Sequence, residues 1–267
     1  MPLAEPLLES RQYQTDLDTL MMNATFRILG PSIEVPGALY TGSGFLVSRS
    51  SEGDPTRSFV GVSAAHVMSG ISGDHAVFVV RMRNDQTRYQ RAQFPVRIRT
   101  DGRPLWTQHH AEDVVAMHVR MPAGHAMDSV PIPLLATDEA FASYNVHPGD
   151  EVSSLGYPFG YEVNGFGFPL LRSGRIASFP LTPVRMMKQF FVDFSVGGGT
   201  SGGPVYISSQ NRTFNNRVTL GRSVFSILGI VTQNALSPDG KQDAGITKVI
   251  HAQFIRDTLA ALPTMSN

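Results

Sequence analysis

One residue of nucleophile type stands inside a run of glycines, Gly197-Gly198-Gly199-Thr200-Ser201-Gly202-Gly203-Pro204. Glycines let a backbone take positive φ, approach a ligand closely and turn its amides inward. The chemistry this suits is acyl transfer, which needs a Ser hydroxyl, a base for its proton, a carboxylate to orient the base, and backbone N–H donors for the oxyanion. Ser201 supplies the first. Among eight histidines, His66 stands out: Val62-Ser63-Ala64-Ala65-His66-Val67 ends a strand-like run with small residues that leave room beside an imidazole. Asp113 opens the strand-like Asp113-Val114-Val115-Ala116-Met117 and is expected to be buried at the strand start. Its neighbour Glu112 is the rival carboxylate, but alternation faces it the opposite way.

Other chemistries fit less well. His109-His110 and His118 lack a His-Glu-x-x-His spacing or clustered carboxylates, so no metal site is expected. The glycine run lacks the Lys-Ser/Thr of a phosphate loop. Gly199-Thr200-Ser201-Gly202-Gly203 also satisfies a Gly-x-Ser-x-Gly elbow, with Asp243 and His251 downstream in the order that reading requires. Such an elbow must lead into a helix, whereas Ser201 is followed by Gly-Gly-Pro and the strand-like Val205-Tyr206-Ile207.

The elements that must position these residues are short and mostly β. The chain has 267 residues, 25 Gly, 18 Pro and no Cys, which suits many strands joined by turns and removes disulfides, thiolate metal sites and cysteine nucleophiles. Lys+Arg and Asp+Glu are 22 each. With no net charge, neither nucleic acid nor an anionic membrane is an expected partner. The longest nearly apolar stretch, Ser223 to Val231, is too short for a membrane helix. Met1 to Pro6 shows no basic n-region followed by an apolar stretch, so no signal peptide is visible and a cytoplasmic location is expected if Met1 is native.

Thr15 to Asn23 reads as a short helix with Thr15 as N-cap. Strand-like runs follow at 24–29, 43–47, 59–63, 75–82, 93–98 and 114–119, then at 152–155, 170–178, 189–194, 204–208, 223–232 and 244–249. Between the two groups the text is irregular and Pro-rich, with one helical turn around Asp138 to Tyr144. His251 to Leu262 carries Phe254, Ile255, Leu259 and Leu262 at helical spacing and reads as a C-terminal amphipathic helix packed on the second half.

Taken together, Ser63-Ala64-Ala65-His66, Asp113-Val114-Val115-Ala116 and Gly199-Thr200-Ser201-Gly202-Gly203-Pro204 resemble the trypsin/chymotrypsin-like serine peptidases in order and spacing, with 47 residues from His66 to Asp113 and 88 from Asp113 to Ser201. Gly42 to Val47, Gly156 to Gly160, Ser173 to Ser178 and Leu228 to Val231 extend the resemblance, most closely to the bacterial, HtrA-like branch without its PDZ domain. The resemblance covers about residues 15 to 262.

It implies an all-β fold of two antiparallel six-stranded barrels with a short N-terminal and a C-terminal helix, all one peptidase domain. The first barrel would span about 24–120, a connector 121–148, the second barrel 149–250 and the helix 251–262. It implies a serine endopeptidase with catalytic His66, Asp113 and Ser201, an oxyanion hole from the amides of Gly199 and Ser201, no cofactor, and polypeptide as substrate. The alternative is a catalytically silent trypsin-fold scaffold. The pocket for the residue before the scissile bond would come from Ser195, Val196, Gly197 and Gly198, facing Ile230, Val231, Thr232 and Gln233, whose exposed edge would pair with substrate main chain. With Ser195 at its floor no counter-charge is expected there unless Asp193 approaches from below, so small or medium apolar side chains are favoured. Thr200, where the activated digestive branch has Asp, implies competence without a freshly cut N-terminus. The glycines of Gly160 to Phe168 allow that segment to move.

Overall fold

The computed structural model describes residues 17–49, 58–162, 164–209, 213–214, 217–218, 224–236, 239 and 243–264. The expected N-cap Thr15, the Met1 to Pro6 terminus and Ser223 lie outside them. Each run of β-branched and aromatic residues between Gly, Pro or Asp forms a strand, as extended backbone with alternating burial favours. In the first half these are β1 (Thr25–Pro31), β2 (Leu39–Arg49), β3 (Ser58–Ser63), β4 (His75–Asn84), β5 (Arg88–Arg97) and β6 (Val115–Val119). In the second they are β7 (Glu151–Gly156), β8 (Leu170–Arg175), β9 (Gln189–Val192), β10 (Pro204–Ser209), β11 (Val224–Leu236) and β12 (Asp243–His251).

The first sheet runs β5-β4-β1-β2-β3-β6 and the second β8-β7-β10-β11-β12-β9, every one of these neighbours antiparallel. Each sheet curls until its outer strands meet. Ile98, just past β5, accepts a hydrogen bond from Leu105 on the way into β6, and Ile176, just past β8, bridges Val192 at the end of β9. Closed in this way, the two halves share one circular strand order, the signature of a repeated antiparallel barrel. The first sheet counts eight strands rather than the expected six. The extra two are two-residue ladders, Thr107–Gln108 beside β6 and Val130–Pro131 beside the part of β2 that extends past β1.

Inward-facing residues fill the barrels. Phe26 of β1 stacks on Phe78 of β4 with centroids 4.6 Å apart, and Phe190, Tyr206 and Ile227 are fully buried in the second half. Burial of such side chains is worth about 1.5–3 kcal/mol each. The helix α1 (Leu17–Ala24) buries Leu17, Met21 and Ala24 at i, i+4 and i+7, and its Asp18 accepts from the Tyr206 hydroxyl at 2.5 Å, tying α1 to the second half.

The helical turn expected in the connector is α3 (Asp138–Ser143), and the C-terminal helix, α4 (Ala252–Ala261), departs from expectation. It packs on both halves rather than the second alone, because its apolar face includes Ala252, Phe254, Ile255, Thr258 and Leu259 and is too wide for one neighbour. Phe254 meets His109 at 5.3 Å, Arg256 Nη1 donates to the Ile132 carbonyl at 3.0 Å, and His118 Nε2 is paired with the Pro263 carbonyl at 2.7 Å.

His251, at the junction of β12 and α4, is fully buried between Phe141 and Phe190, at 5.0 and 4.9 Å. Burial pushes its imidazole down to about 4. The unfolded chain, near the ordinary value of 6.5, therefore binds the proton first as pH falls. Stability present above pH 6.5 is lost through pH 4, by about 3 kcal/mol in all and about 2 kcal/mol by pH 5. Urea unfolding at pH 7.5 and pH 5 should show this loss in the native chain and a loss smaller by about that amount in His251→Leu. An identical pH dependence in the two chains would contradict it.

Candidate active site

β3 ends in small residues and passes at once into α2 (Ala65–Ser69), a short helix that the strand pattern did not reveal. No side chain of Ala64 caps it, so its first amides need an outside acceptor. Asp113 provides one. Its Oδ1 accepts the His66 backbone N–H at 2.8 Å, and its Oδ2 lies 2.6 Å from His66 Nδ1. A carboxylate facing Nδ1 places the ring proton there, leaving Nε2 of the neutral imidazole as an acceptor. The two side chains are 38% and 32% exposed, enough to be reached by a substrate. Asp113 is thus neither buried nor in the strand. It sits in a bend before β6, where its carboxylate can turn back to α2. Glu112 points elsewhere, to Lys188 Nζ at 2.8 Å.

Ser201 occupies a tight turn ahead of β10. Gly199 (φ 98°) and Gly202 (φ 84°) take backbone conformations that L side chains rarely adopt. Both are also crowded: a Cβ at Gly199 would strike the Tyr157 carbonyl, and one at Gly202 the Ser43 carbonyl and Ser63 hydroxyl. That second contact sets the turn against Ser63 and Ala64, the residues leading to His66. Ser43 locks the arrangement. Its N–H donates to the Ser201 carbonyl at 2.8 Å, and its buried Oγ donates to the Gly199 carbonyl at 2.7 Å while accepting the Tyr157 N–H at 3.2 Å. Ser43 was legible only as a small polar residue between Gly42 and Gly44.

Thr200 Oγ1 closes the turn on the Gly197 carbonyl at 2.7 Å. The Ser201 hydroxyl donates to the Thr232 carbonyl at 2.8 Å rather than to His66. Among the described residues the amides of Gly199 and Ser201 donate to no protein acceptor. The turn leads into a strand, and Asp243 and His251 lie at opposite ends of β12, which removes the elbow reading.

The expected binding residues divide. Ile230 and Val231 offer no free edge. Ile230 pairs with Pro204 and with Ile250, while Val231 exchanges bonds with Gly202 and Gly203 on one side and pairs with Val249 on the other. β10 covers this part of β11. Past it, among the described residues, Gln233 and Asn234 pair on the β12 side only, so the edge beside Ser201 opens at Thr232 and not before.

Across from it, Ser195 Oγ donates to Asp243 Oδ2 at 2.5 Å. Asn234 bridges the gap, accepting the Val196 N–H at 2.9 Å and donating to the Val196 carbonyl and to Asp243 Oδ2, both at 2.6 Å. Hydrogen bonds, that from Ser195 foremost, hold the exposed Asp243 carboxyl below its ordinary value. Asp193, the suspected counter-charge, turns instead to the Arg175 backbone N–H on β8. Gly197 lies under the Phe159 ring, and Gly198 accepts the Phe159 N–H at 2.6 Å.

The segment expected to move is anchored to the first barrel. Arg27 holds the Gly160 carbonyl at 3.0 Å, Arg91 pairs with Glu162 at 2.8 Å, and the buried Arg81 holds the Gly167 carbonyl at 2.6 Å. Tyr157, whose phenol burial pushes up to about 12, donates to the same Gly167 carbonyl at 2.9 Å.

Among the described residues there is no group of three or more His, Cys, Asp or Glu side chains placed to hold a metal, and no helix long and apolar enough to cross a membrane.

Two antiparallel barrels with a His–Asp pair and a glycine-bound Ser turn between them define a trypsin-like architecture. The chain belongs to the family described as Trypsin-like peptidase domain, which it matches over residues 42–213. It is similar in fold to the protease Anisep from Arthrobacter nicotinovorans, with a TM-score of 0.53 at 15% identity over 91% of this chain and 96% of that one. The active form of the Rv3671c protease from M. tuberculosis gives 0.51 at 17% identity, over 94% and 85%. The HtrA-type protease AlgW with tripeptide gives 0.50 at 15%, over 91% of this chain and 61% of that one. No curated protein matches in sequence.

Proposed function

We propose that the protein is a serine endopeptidase that hydrolyses peptide bonds through Ser201, His66 and Asp113 by way of an acyl-enzyme. The observation that carries this reading is His66 held by Asp113 at both its amide and its ring, beside the turn that bears Ser201. A silent scaffold has no need of a doubly anchored, solvent-accessible imidazole.

Substrate binding redirects the Ser201 hydroxyl from Thr232 to His66 Nε2. The hydroxyl attacks the scissile carbonyl as Nε2 takes its proton, Asp113 stabilises the imidazolium, and the proton passes to the leaving amine. Water then repeats the sequence to release the acid. The amides of Gly199 and Ser201 donate to the oxyanion, and losing such a donor typically costs roughly 100- to 1000-fold in turnover. Substrate main chain adds to the free edge of β11 from Thr232 onward, a β-augmentation. No cofactor takes part. The chain is one peptidase domain of the HtrA-like branch, with barrels at about 24–120 and 149–250, a connector at 121–148 and a helix at 251–262.

The experiment is digestion of an unstructured peptide library with mass spectrometry of the cut sites. Because the Asn234 amide spans the space between Val196 and β11, the residue before the cut should be small or medium apolar: Ala, Val, Leu or Met. Each methylene changes selectivity by about 1–3 kcal/mol. Asn234→Ala should widen the pocket, release the Asp243 carboxylate from the hydrogen bond that Asn234 donates to it, and raise cutting after Lys and Arg. A native profile already dominated by Lys and Arg would contradict this account of the pocket.

A further inference from the structure

His109 lies four residues before Asp113, in the loop that carries it, with a side chain only 4% exposed. Its Nδ1 accepts two backbone amides, the N–H of Ala111 at 3.2 Å and that of Glu112 at 3.0 Å. The His109 backbone N–H donates to the Val114 carbonyl at 2.9 Å, and the Val114 N–H donates to the Glu112 carbonyl at 2.8 Å. The loop that presents Asp113 is thus wrapped around one imidazole nitrogen. A nitrogen that accepts two hydrogens carries the lone pair, so the proton of the neutral ring is on Nε2. That atom faces Asp257 Oδ2 of α4 at 3.8 Å, while the ring packs against Phe254 of α4 and His110, at 5.3 and 4.4 Å.

We propose that His109 is a positioning residue: its Nδ1 lone pair sets the turn that aims the Asp113 carboxylate at His66, and its ring braces that turn against α4. The geometry stands independently of the peptidase reading, although the kinetic readout rests on it. Without the acceptor, two amides of the turn lose their partner. The loop then relaxes, and Asp113 moves with it.

Packing alone and positioning predict different variants. A packing role is served by any side chain of similar volume. A positioning role needs an acceptor at the δ position, which Asn supplies through Oδ1 and which Gln places one bond further out. His109→Asn should keep kcat within about threefold of the native chain, whereas His109→Leu should lower kcat about tenfold or more with KM nearly unchanged. If His109→Leu does not fold, His109→Gln takes its place against His109→Asn. Equal kcat in the Asn variant and its Leu or Gln counterpart would overturn the proposal, as would full activity in His109→Leu. The NMR resonance of the His66 Nδ1 proton gives a readout that needs no turnover. It should persist in His109→Asn and be shifted or lost in the Leu or Gln variant, and no difference between them would again overturn it. Failure of the native chain to hydrolyse peptides or to react with a serine-directed phosphonate would count against the peptidase reading, and the resonance would still decide the role of His109.

Discussion

Ser201→Ala should abolish peptide hydrolysis, lowering turnover by roughly a millionfold. The hydroxyl is the group that forms the acyl bond, and neither Gly neighbour nor Thr200 can replace it. Little else should change. The side chain is partly exposed and makes one hydrogen bond, to the Thr232 carbonyl, so the melting temperature should stay within a few degrees. His66→Ala should be about as severe, and the double variant scarcely worse than either single one, because nucleophile and base act as a unit. Steady-state kinetics on a peptide found by the library digestion would check this. A double variant whose loss equals the product of the single losses would mean that the two residues act separately.

Asp113→Asn is the second large effect, a fall in kcat of about ten-thousandfold. The substitution is nearly isosteric, and the Asn carbonyl can still accept the His66 amide as Oδ1 does. The amide NH2 then faces Nδ1, where the carboxylate stood at 2.6 Å. A donor there forces the lone pair onto Nδ1 and the proton onto Nε2, which can no longer accept from Ser201. The loss should appear in kcat with KM nearly unchanged, since Asp113 does not touch the groove beside Thr232. Turnover within tenfold of the native chain would show that the ring tautomer is set by something else.

The twelve long strands were legible because each alternates or concentrates β-branched and aromatic residues between turn formers, and their interiors follow that pattern. The contact between His66 and Asp113 was legible because order and spacing along the chain survive folding. What escaped was set by contacts between distant segments. α2 is a single short turn with no cap residue, organised from outside by Asp113, so no local signal marks it. Ser43 reaches the Gly199 carbonyl across 156 positions. The edge expected at Ile230 and Val231 looks free in a linear reading, and only the pairing with β10 and the Ser201 turn shows that it is occupied. Asp243, 48 positions further along the chain than Ser195, meets it because β12 pairs antiparallel with β11. The amphipathic pattern of α4 is plain in its sequence, but its second neighbour depends on the barrel beside it.

The central claim is that Ser201 is a nucleophile activated by His66. The most direct measurement is reaction of the folded protein with a serine-reactive fluorophosphonate, followed by intact-mass and peptide mapping. The account predicts one adduct, on Ser201, absent from Ser201→Ala and strongly slowed in His66→Ala. An adduct on another residue, equal labelling of native and Ser201→Ala protein, or no adduct on the folded native chain would contradict it.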